Sequence, residues 1–491
     1  MREGVKLGHP AMMVGRAESG RLPVPVAIYL VCIAVPLTFS IGPLALSTLR
    51  VFLLIAIVPL TVQLLRGRYG RIIAPDILFP LQLVWASIAF LVNSPQEMIQ
   101  HVGSLGVEFY GGYMIARAYI RTSGDAVALA KALVLLITLL LPMAVVEALT
   151  NRSPYLDLLD ALPVVDSIPK EVDETRLGLY RVQSVFDHPI HFGLFCSMVL
   201  SFCYVGLKGV IGFARLFGSV LAITLGGFLS LSSGALLAMG LQIFLISWMW
   251  VFSRIRWRWW LLIGMITLGY VTIDLLSSRT PLQVFMSYAT FSPHNAYWRS
   301  LIFEYGMDNV WANPIFGLGN NPWVRPWWMH SGSVDNFWLV ITIRYGIPGF
   351  LLLAAGYLLP LIRIGLRNFE ADPMLLQLRR AWMFSILGMS FTLATVHVWN
   401  SAYSVVFFLF GAGMWFYGAG PSAEQTSEGS SAGTQGDPTP RLPRYTRFPD
   451  GALPGTPRAP VIVSRTAIAA GSSRAPGEVG ARAVGLHRGA G

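Results

Sequence analysis

Arg299 and Asp335 stand in a polar stretch, residues 278–337, that interrupts a chain built mostly of apolar runs. The same stretch holds Arg279, His294, Asp308, Arg325 and His330. A second polar segment contains Arg176, Tyr180 and Arg181 and continues into Asp187-His188-Pro189 and His191. Between apolar spans, polar groups at this density need water or a polar ligand to meet them. The arginine fork makes paired charge-assisted hydrogen bonds and keeps its charge, which suits a phosphate or pyrophosphate. Arg181 and Arg299 lie on different segments and are expected to converge on one anion from two sides. Their alternative is to snorkel to the interface or to pair with a carboxylate such as Asp187 or Glu304. Asp335, beside Asn336 and just before an apolar run, suits a general base, a helix N-cap, or both. Arg176, His188, Arg325, His330 and Asn336 complete the candidate binding set. The histidines show no zinc-ligand spacing, so no metal site is expected. There is no Walker sequence and no G-x-S-x-G elbow, and no cofactor is expected.

These residues need a frame, and composition says which kind. The 491 residues are 54% hydrophobic and 12% charged, against roughly 25% charged in soluble domains. With a mean hydropathy of +0.58, the chain reads as an all-α, polytopic membrane protein. The net charge of +11 sits mainly in short loops between spans, which argues against nucleic-acid binding. Cys32, Cys196 and Cys203 fall inside apolar segments and offer neither a disulfide framework nor a metal site.

A helix needs about 20 apolar residues to cross the hydrocarbon core. Twelve segments are expected as spans: 23–42, 45–65, 75–93, 101–120, 126–149, 188–207, 210–230, 234–253, 258–276, 337–361, 380–398 and 401–419. A Gly42-Pro43 turn is expected to join the first two. Alternate loops carry the basic residues, among them Arg66, Arg68, Arg71, Arg117, Arg121, Arg254, Arg256, Arg363 and Arg367. By the positive-inside rule these loops and both termini are expected to be cytoplasmic. The long loops 150–187 and 278–336 then face outward. The groups Trp257, Trp259, Trp260 and Trp323, Trp327, Trp328 fit interfacial belts on opposite faces. The first group reads equally well as core aromatics. Residues 1–22 form a short cytoplasmic segment, 23–419 the membrane domain, and 420–491, rich in Gly, Ala, Pro, Ser and Arg, a disordered tail. Glu108 and Arg50 lie inside spans, where ionisable groups are costly unless paired, and a buried Arg50–Glu108 pair is one reading of both.

Three stretches resemble the O-antigen ligase and polymerase superfamily of polytopic membrane enzymes. They are Arg181 to Pro189, Arg299 to Gly319 with its Trp, Asn-Pro and Gly-x-Gly run, and Asp335-Asn336 followed after nine residues by Gly346-x-x-Gly349. The resemblance implies a GT-C-like membrane fold with two large periplasmic loops in a bacterial inner membrane. It also implies a glycosyltransferase acting on a polyprenyl-pyrophosphate-linked glycan donor and a glycan acceptor, in contact with membrane lipid and other polysaccharide export proteins. Arg181 and Arg299 would hold the pyrophosphate and Asp335 would act on the acceptor hydroxyl. Two departures matter. Asp335 stands where the ligases usually have His, which favours a polymerase of exopolysaccharide or O-antigen repeat units over a ligase. Ser230-Leu-Ser232-Ser233-Gly234 lacks an arginine often present at that turn. A secondary transporter is the alternative from another class, though no internal repeat is visible.

Overall fold

The computed structural model describes residues 20–41, 44–162, 166–170, 175–277 and 293–420. Arg279, the Gly42-Pro43 turn and nearly all of the expected tail lie outside the described residues, as does the side chain of His294.

Among the described residues, every expected span contains a helix. The chain runs through α1 (Val24–Ala34), a hairpin of β1 (Thr38–Ile41) and β2 (Leu44–Ser47), α2 (Thr48–Leu65), α3 (Ala74–Asn93), α4 (Met98–Tyr119) and α5 (Ser123–Thr150). After α6 (Pro154–Asp160) and a two-residue hairpin, β3 (Thr175–Arg176) and β4 (Leu179–Tyr180), come α7 (Pro189–Ser201), α8 (Phe213–Leu229), α9 (Ser233–Val251) and α10 (Arg258–Leu276). The chain continues with α11 (Pro293–Ala312), α12 (Phe337–Leu366), α13 (Pro373–Leu393) and α14 (Asn400–Gly411). Among the described residues, seven helices are long and apolar enough to cross a membrane: α2, α3, α5, α7 with its π-helical end at Gly206, α9, α10 and α12.

Five of the twelve expected spans, 23–42, 101–120, 210–230, 380–398 and 401–419, are not among these seven, and two of the five differ for identifiable reasons. The segment 23–42 is helical only to Ala34 and then turns into the hairpin, with Thr38 opposite Ser47. Thr38 also exchanges backbone hydrogen bonds with Asp166, so this hairpin ties down the long segment between α5 and α7. Helix α4 is long enough, but it carries His101, Glu108 and Arg117, whose partners lie inside the protein rather than in water.

Local chemistry sets the helix ends. Thr122 and Asp125 form a capping box at α5. His188 Nδ1 accepts from Ile190 N at 3.1 Å, with Pro189 at the first helical position of α7. Asp372 accepts from Met374 N and Leu375 N at α13. In the interior, α4 and α14 approach until a Cβ on Gly112 would stand 2.6 Å from Ser404 O. Small residues permit this contact, which packing in a lipid-solvated bundle depends on. An aromatic cluster surrounds it, with Phe109 against Phe407 at 4.4 Å and Tyr357 stacked on Phe410 at 4.8 Å.

Residues 293–336 are far more ordered than a loop reading suggests. Helix α11 packs on α12, where a Cβ on Gly306 would meet Leu339 Cδ2 at 2.8 Å. Val310, Trp323, Met329, Leu339 and Ile343 form a small core of their own. Trp323 is therefore not an interfacial residue: it is buried and its Nε1 donates to Gly332 O at 2.9 Å. Trp327 is exposed, as a belt residue would be. On the opposite group, Trp257 and Trp260 are exposed while Trp259 packs against Phe384.

Candidate functional site

The site is built on a break in α12. Gly346 has φ 71° and ψ 178°, a conformation essentially reserved for glycine, and it interrupts the helix. A break frees backbone groups that must find partners in a dry interior. The Asn313–Gly319 segment supplies most of them. Leu318 N donates to Ile343 O at 2.7 Å, Gly319 N to Arg344 O at 3.0 Å, and Ile347 N to Pro314 O at 2.8 Å. Trp85 Nε1 satisfies Tyr345 O at 2.8 Å. Gly317 and Gly319 both have positive φ, and a Cβ on Gly317 would lie 2.5 Å from Ile343 O. The Gly-x-Gly and Gly-x-x-Gly motifs are thus the two halves of one joint. Asn320 and Asn321 continue the docking: Asn320 N donates to Ser94 Oγ at 3.2 Å and Asn321 Nδ2 to Asn93 O at 3.1 Å.

Beside this joint lies a cavity of about 540 Å³, within the usual range of small-ligand sites. Its wall includes Arg299 from α11, Asp335 and Arg344 from either side of the start of α12, and His188, His397 and Trp399. Asp335 is open to the cavity, and neither it nor Arg299 has a hydrogen bond or ion pair at contact distance among the described residues. They nevertheless feel each other. Loss of water around the Asp335 carboxylate raises its pKa, and the Arg299 charge opposes the rise. Partial burial lowers the Arg299 pKa, which Asp335 offsets and the nearby Arg176 charge reinforces. Asp335 does not cap α12. Asn336 does, its Oδ1 accepting from Leu339 N at 3.1 Å, so the carboxylate one residue earlier is left for the cavity.

Under the cavity runs a chain of polar groups. Arg344 Nη1 and His101 Nε2 lie 2.8 Å apart. Arg50 Nε donates to Glu108 Oε1 at 2.8 Å and Nη2 to Asn400 Oδ1 at 3.0 Å. Asn400 Nδ2 in turn donates to Asp187 Oδ1 at 3.1 Å. Asn400 holds this bridging position with φ 49°, a left-handed conformation asparagine tolerates. Burial raises the Asp187 pKa against the pull of the Asn400 hydrogen bond. Trp399 packs on His191 at 4.1 Å and on His397 and His188 at 5.9 and 5.8 Å, fixing the rings around the cavity floor.

Several candidates from the sequence come together here: Arg299, Asp335 and His188 line the cavity, and Arg176 lies within electrostatic reach of Arg299. Arg181 does not join them. It is buried, 5% exposed, and is not among the lining residues. The backbone there turns inward, with Val182 N donating to Leu229 O at 3.1 Å. The expected convergence of Arg181 with Arg299 is replaced by that of Arg176, whose Nη1 also donates to Leu231 O at 3.1 Å. Arg325 Nε braces its own loop through Met329 O at 3.0 Å, His330 is exposed away from the lining set, and the Asn336 side chain serves as the cap. The expected Arg50–Glu108 pair is present. Sequence reasoning missed Arg344, His101, His397 and Trp399. Arg344 carried the same signal as Arg50, an ionisable residue inside an apolar run.

The comparisons bear on this geometry. Residues 217–354 match the family model Wzy_C, described as O-antigen ligase. That region runs from α8 into α12 and so holds Arg299, Asp335, Arg344 and both halves of the glycine joint. The resemblance to the O-antigen ligase and polymerase superfamily therefore rests on a matched region of the family, and it supports a membrane protein with a glycan-joining role in general. No curated protein matches the chain.

Proposed function

We propose that the protein polymerises lipid-linked oligosaccharide repeat units at the Arg299–Asp335 cavity. The observation that carries this reading is one cavity wall holding a carboxylate, Asp335, and two guanidinium groups, Arg299 and Arg344, none of them in an ion pair among the described residues, inside a region matching the O-antigen ligase family. The donor is a glycan on a polyprenyl pyrophosphate. An acceptor sugar hydroxyl attacks the anomeric carbon, the bond from that carbon to the phosphate oxygen breaks, and the hydroxyl proton passes to Asp335. The leaving pyrophosphate gains negative charge, and fixed cations stabilise that state more than the ground state. Arg299 and Arg344 hold the pyrophosphate, Arg176 adds field from behind, and Arg181 acts by positioning the segment that carries His188. Single displacement inverts the anomeric centre. A groove of about 590 Å³ between α2 and α4 shares Asn320 with the cavity wall and offers Leu54, Ile99 and Val107 beside Arg50 and His101, which suits the lipid tail. The outward face of the membrane domain is then the reaction side, and the basic loops are cytoplasmic.

Purified protein given lipid-linked repeat units should yield long polymer, and Arg299→Lys, which keeps charge but loses the fork, should lose at least tenfold in rate. Normal polymer from both Arg299→Lys and Arg299→Ala would refute the assignment. Asp335 in place of His favours polymerisation over ligation to a final acceptor. A deletion strain decides between them: missing long chains indicate a polymerase, and long chains left unattached indicate a ligase. Solute flux into liposomes without glycan transfer would establish a transporter instead.

A further inference from the structure

At the far ends of α3 and α12 from the glycan cavity lies a second cavity, of about 820 Å³, on the face bearing the basic loops. Helix α3 meets the first site through Asn93 and this one through Ala74; α12 begins at the first and reaches this one with Leu359 and Arg363. Twenty helical residues span roughly 30 Å, so the two cavities are separate. We propose that this second cavity binds the phosphate headgroup of an anionic phospholipid from the leaflet on the basic face.

The wall carries Arg71, Arg117, Arg121 and Arg363 against one carboxylate, Asp372. Asp372 is already occupied in capping α13. Arg117 is structural: it pairs with the buried Asp76 at 3.3 Å and holds Tyr69 O and Arg71 O at 2.9 and 3.0 Å. Arg121 Nη1 donates to Arg68 O at 3.2 Å, which leaves Arg71 and Arg363, both exposed and without an ion pair among the described residues. Two further donors point to a ligand. Trp415 Nε1 and Tyr417 OH are buried atoms with no hydrogen-bond partner among the described residues, and both residues belong to the wall of this cavity. A buried N–H or O–H left unpaired is costly, and lipid phosphate or glycerol oxygens are acceptors of the right kind. Ile72, Leu359 and Met414 add an apolar wall for the start of the acyl chains. The sequence that follows Gly420, a lining residue, carries eight arginines against five carboxylates over 421–491, so charge disfavours it as the occupant.

The test uses the full chain, delipidated in neutral detergent and titrated with short-chain phosphatidylglycerol or phosphatidylcholine, with bound lipid counted by native mass spectrometry. Phosphatidylglycerol should bind more tightly than phosphatidylcholine. The double variant Arg71→Gln/Arg363→Gln should weaken it roughly thirty-fold, from about 1 kcal/mol for each arginine near an anionic headgroup. Arg254→Gln/Arg256→Gln, exposed on the same face but outside the cavity, should change it little. Trp415→Phe removes only the N–H and should also weaken binding, which keeps the test informative if the double arginine variant fails to fold. The proposal is overturned by equal affinity for both lipids, by an equal loss in the Arg254/Arg256 control, or by full competition from inorganic phosphate, which would mark a free-anion site.

Discussion

Replacing Gly346 by alanine tests the joint on which the proposed glycan site is built. A Cβ there would fall 2.0 Å from Ile315 O and 2.9 Å from Pro314 O, in a backbone conformation with φ 71°. Holding alanine in such a conformation costs about 1–3 kcal/mol. The contact itself cannot be held, so the 314–319 segment must withdraw. Withdrawal breaks the Leu318–Ile343, Gly319–Arg344 and Ile347–Pro314 hydrogen bonds, each worth about 1 kcal/mol. Together these give a loss of about 4–6 kcal/mol, a large share of the roughly 5–15 kcal/mol that holds a folded protein. Freed from Gly319, Arg344 also loses its fixed direction, so glycan transfer should fall at least tenfold even where the variant remains folded. Thermal unfolding in detergent, limited proteolysis across 313–336 and polymer yield report the three effects. Gly365→Ala is the control: it lies in the same helix, and its Cβ would meet only Met383 Cε at 3.5 Å, so it should be neutral or slightly stabilising. A Gly346→Ala protein with wild-type melting temperature and yield would refute the reasoning, as would equal damage from Gly365→Ala.

Two further predictions concern charge. Arg50→Met should destabilise by about 3 kcal/mol, because Glu108 is then left buried without its partner, whereas Arg50→Met/Glu108→Met should recover most of the loss; a double variant no better than the single one in thermal unfolding would contradict this. On the proposed base role of Asp335, its raised pKa should set the acid limb of the pH–rate profile above the ordinary aspartate range, since a base works only when deprotonated. Arg299→Gln removes the charge that opposes that rise, so the limb of the residual activity should move to still higher pH. Asp335→Asn should abolish the limb, and an unchanged limb in that variant would remove Asp335 from the base role.

Much of the frame could be read from composition. Apolar runs of about 20 residues became helices because a dry environment leaves the backbone no other partner over such a length, and this holds for α2, α3, α5, α9 and α10 with ends close to those expected. The reading failed where a run was apolar but short of helix: 23–42 contains both a helix and a hairpin strand. It also failed in the polar stretch before α12, where the mean polarity hid the 20-residue helix α11 and three buried apolar residues, Val310, Trp323 and Met329, that form a core with Leu339 and Ile343 of α12. Within the site, the types and order of Arg299, Asp335 and the glycine motifs were legible. Their division of labour was not: Asn336 rather than Asp335 caps the helix, and Arg176 rather than Arg181 lies near Arg299.

The sequence by itself determined that this chain lives in a membrane, which of its loops are basic, and that its polar chemistry gathers in two segments, because hydropathy and charge are properties of neighbouring residues. Only the tertiary structure decided which guanidinium groups face Asp335 and what the glycines are for. Those answers depend on contacts between residues far apart in the chain: Gly319 reaches Arg344, Arg50 reaches Asn400, and His101 reaches Arg344. The first is set by where a broken helix finds partners for its freed backbone and the other two by side chains meeting across packed helices, and a one-dimensional pattern carries no record of either.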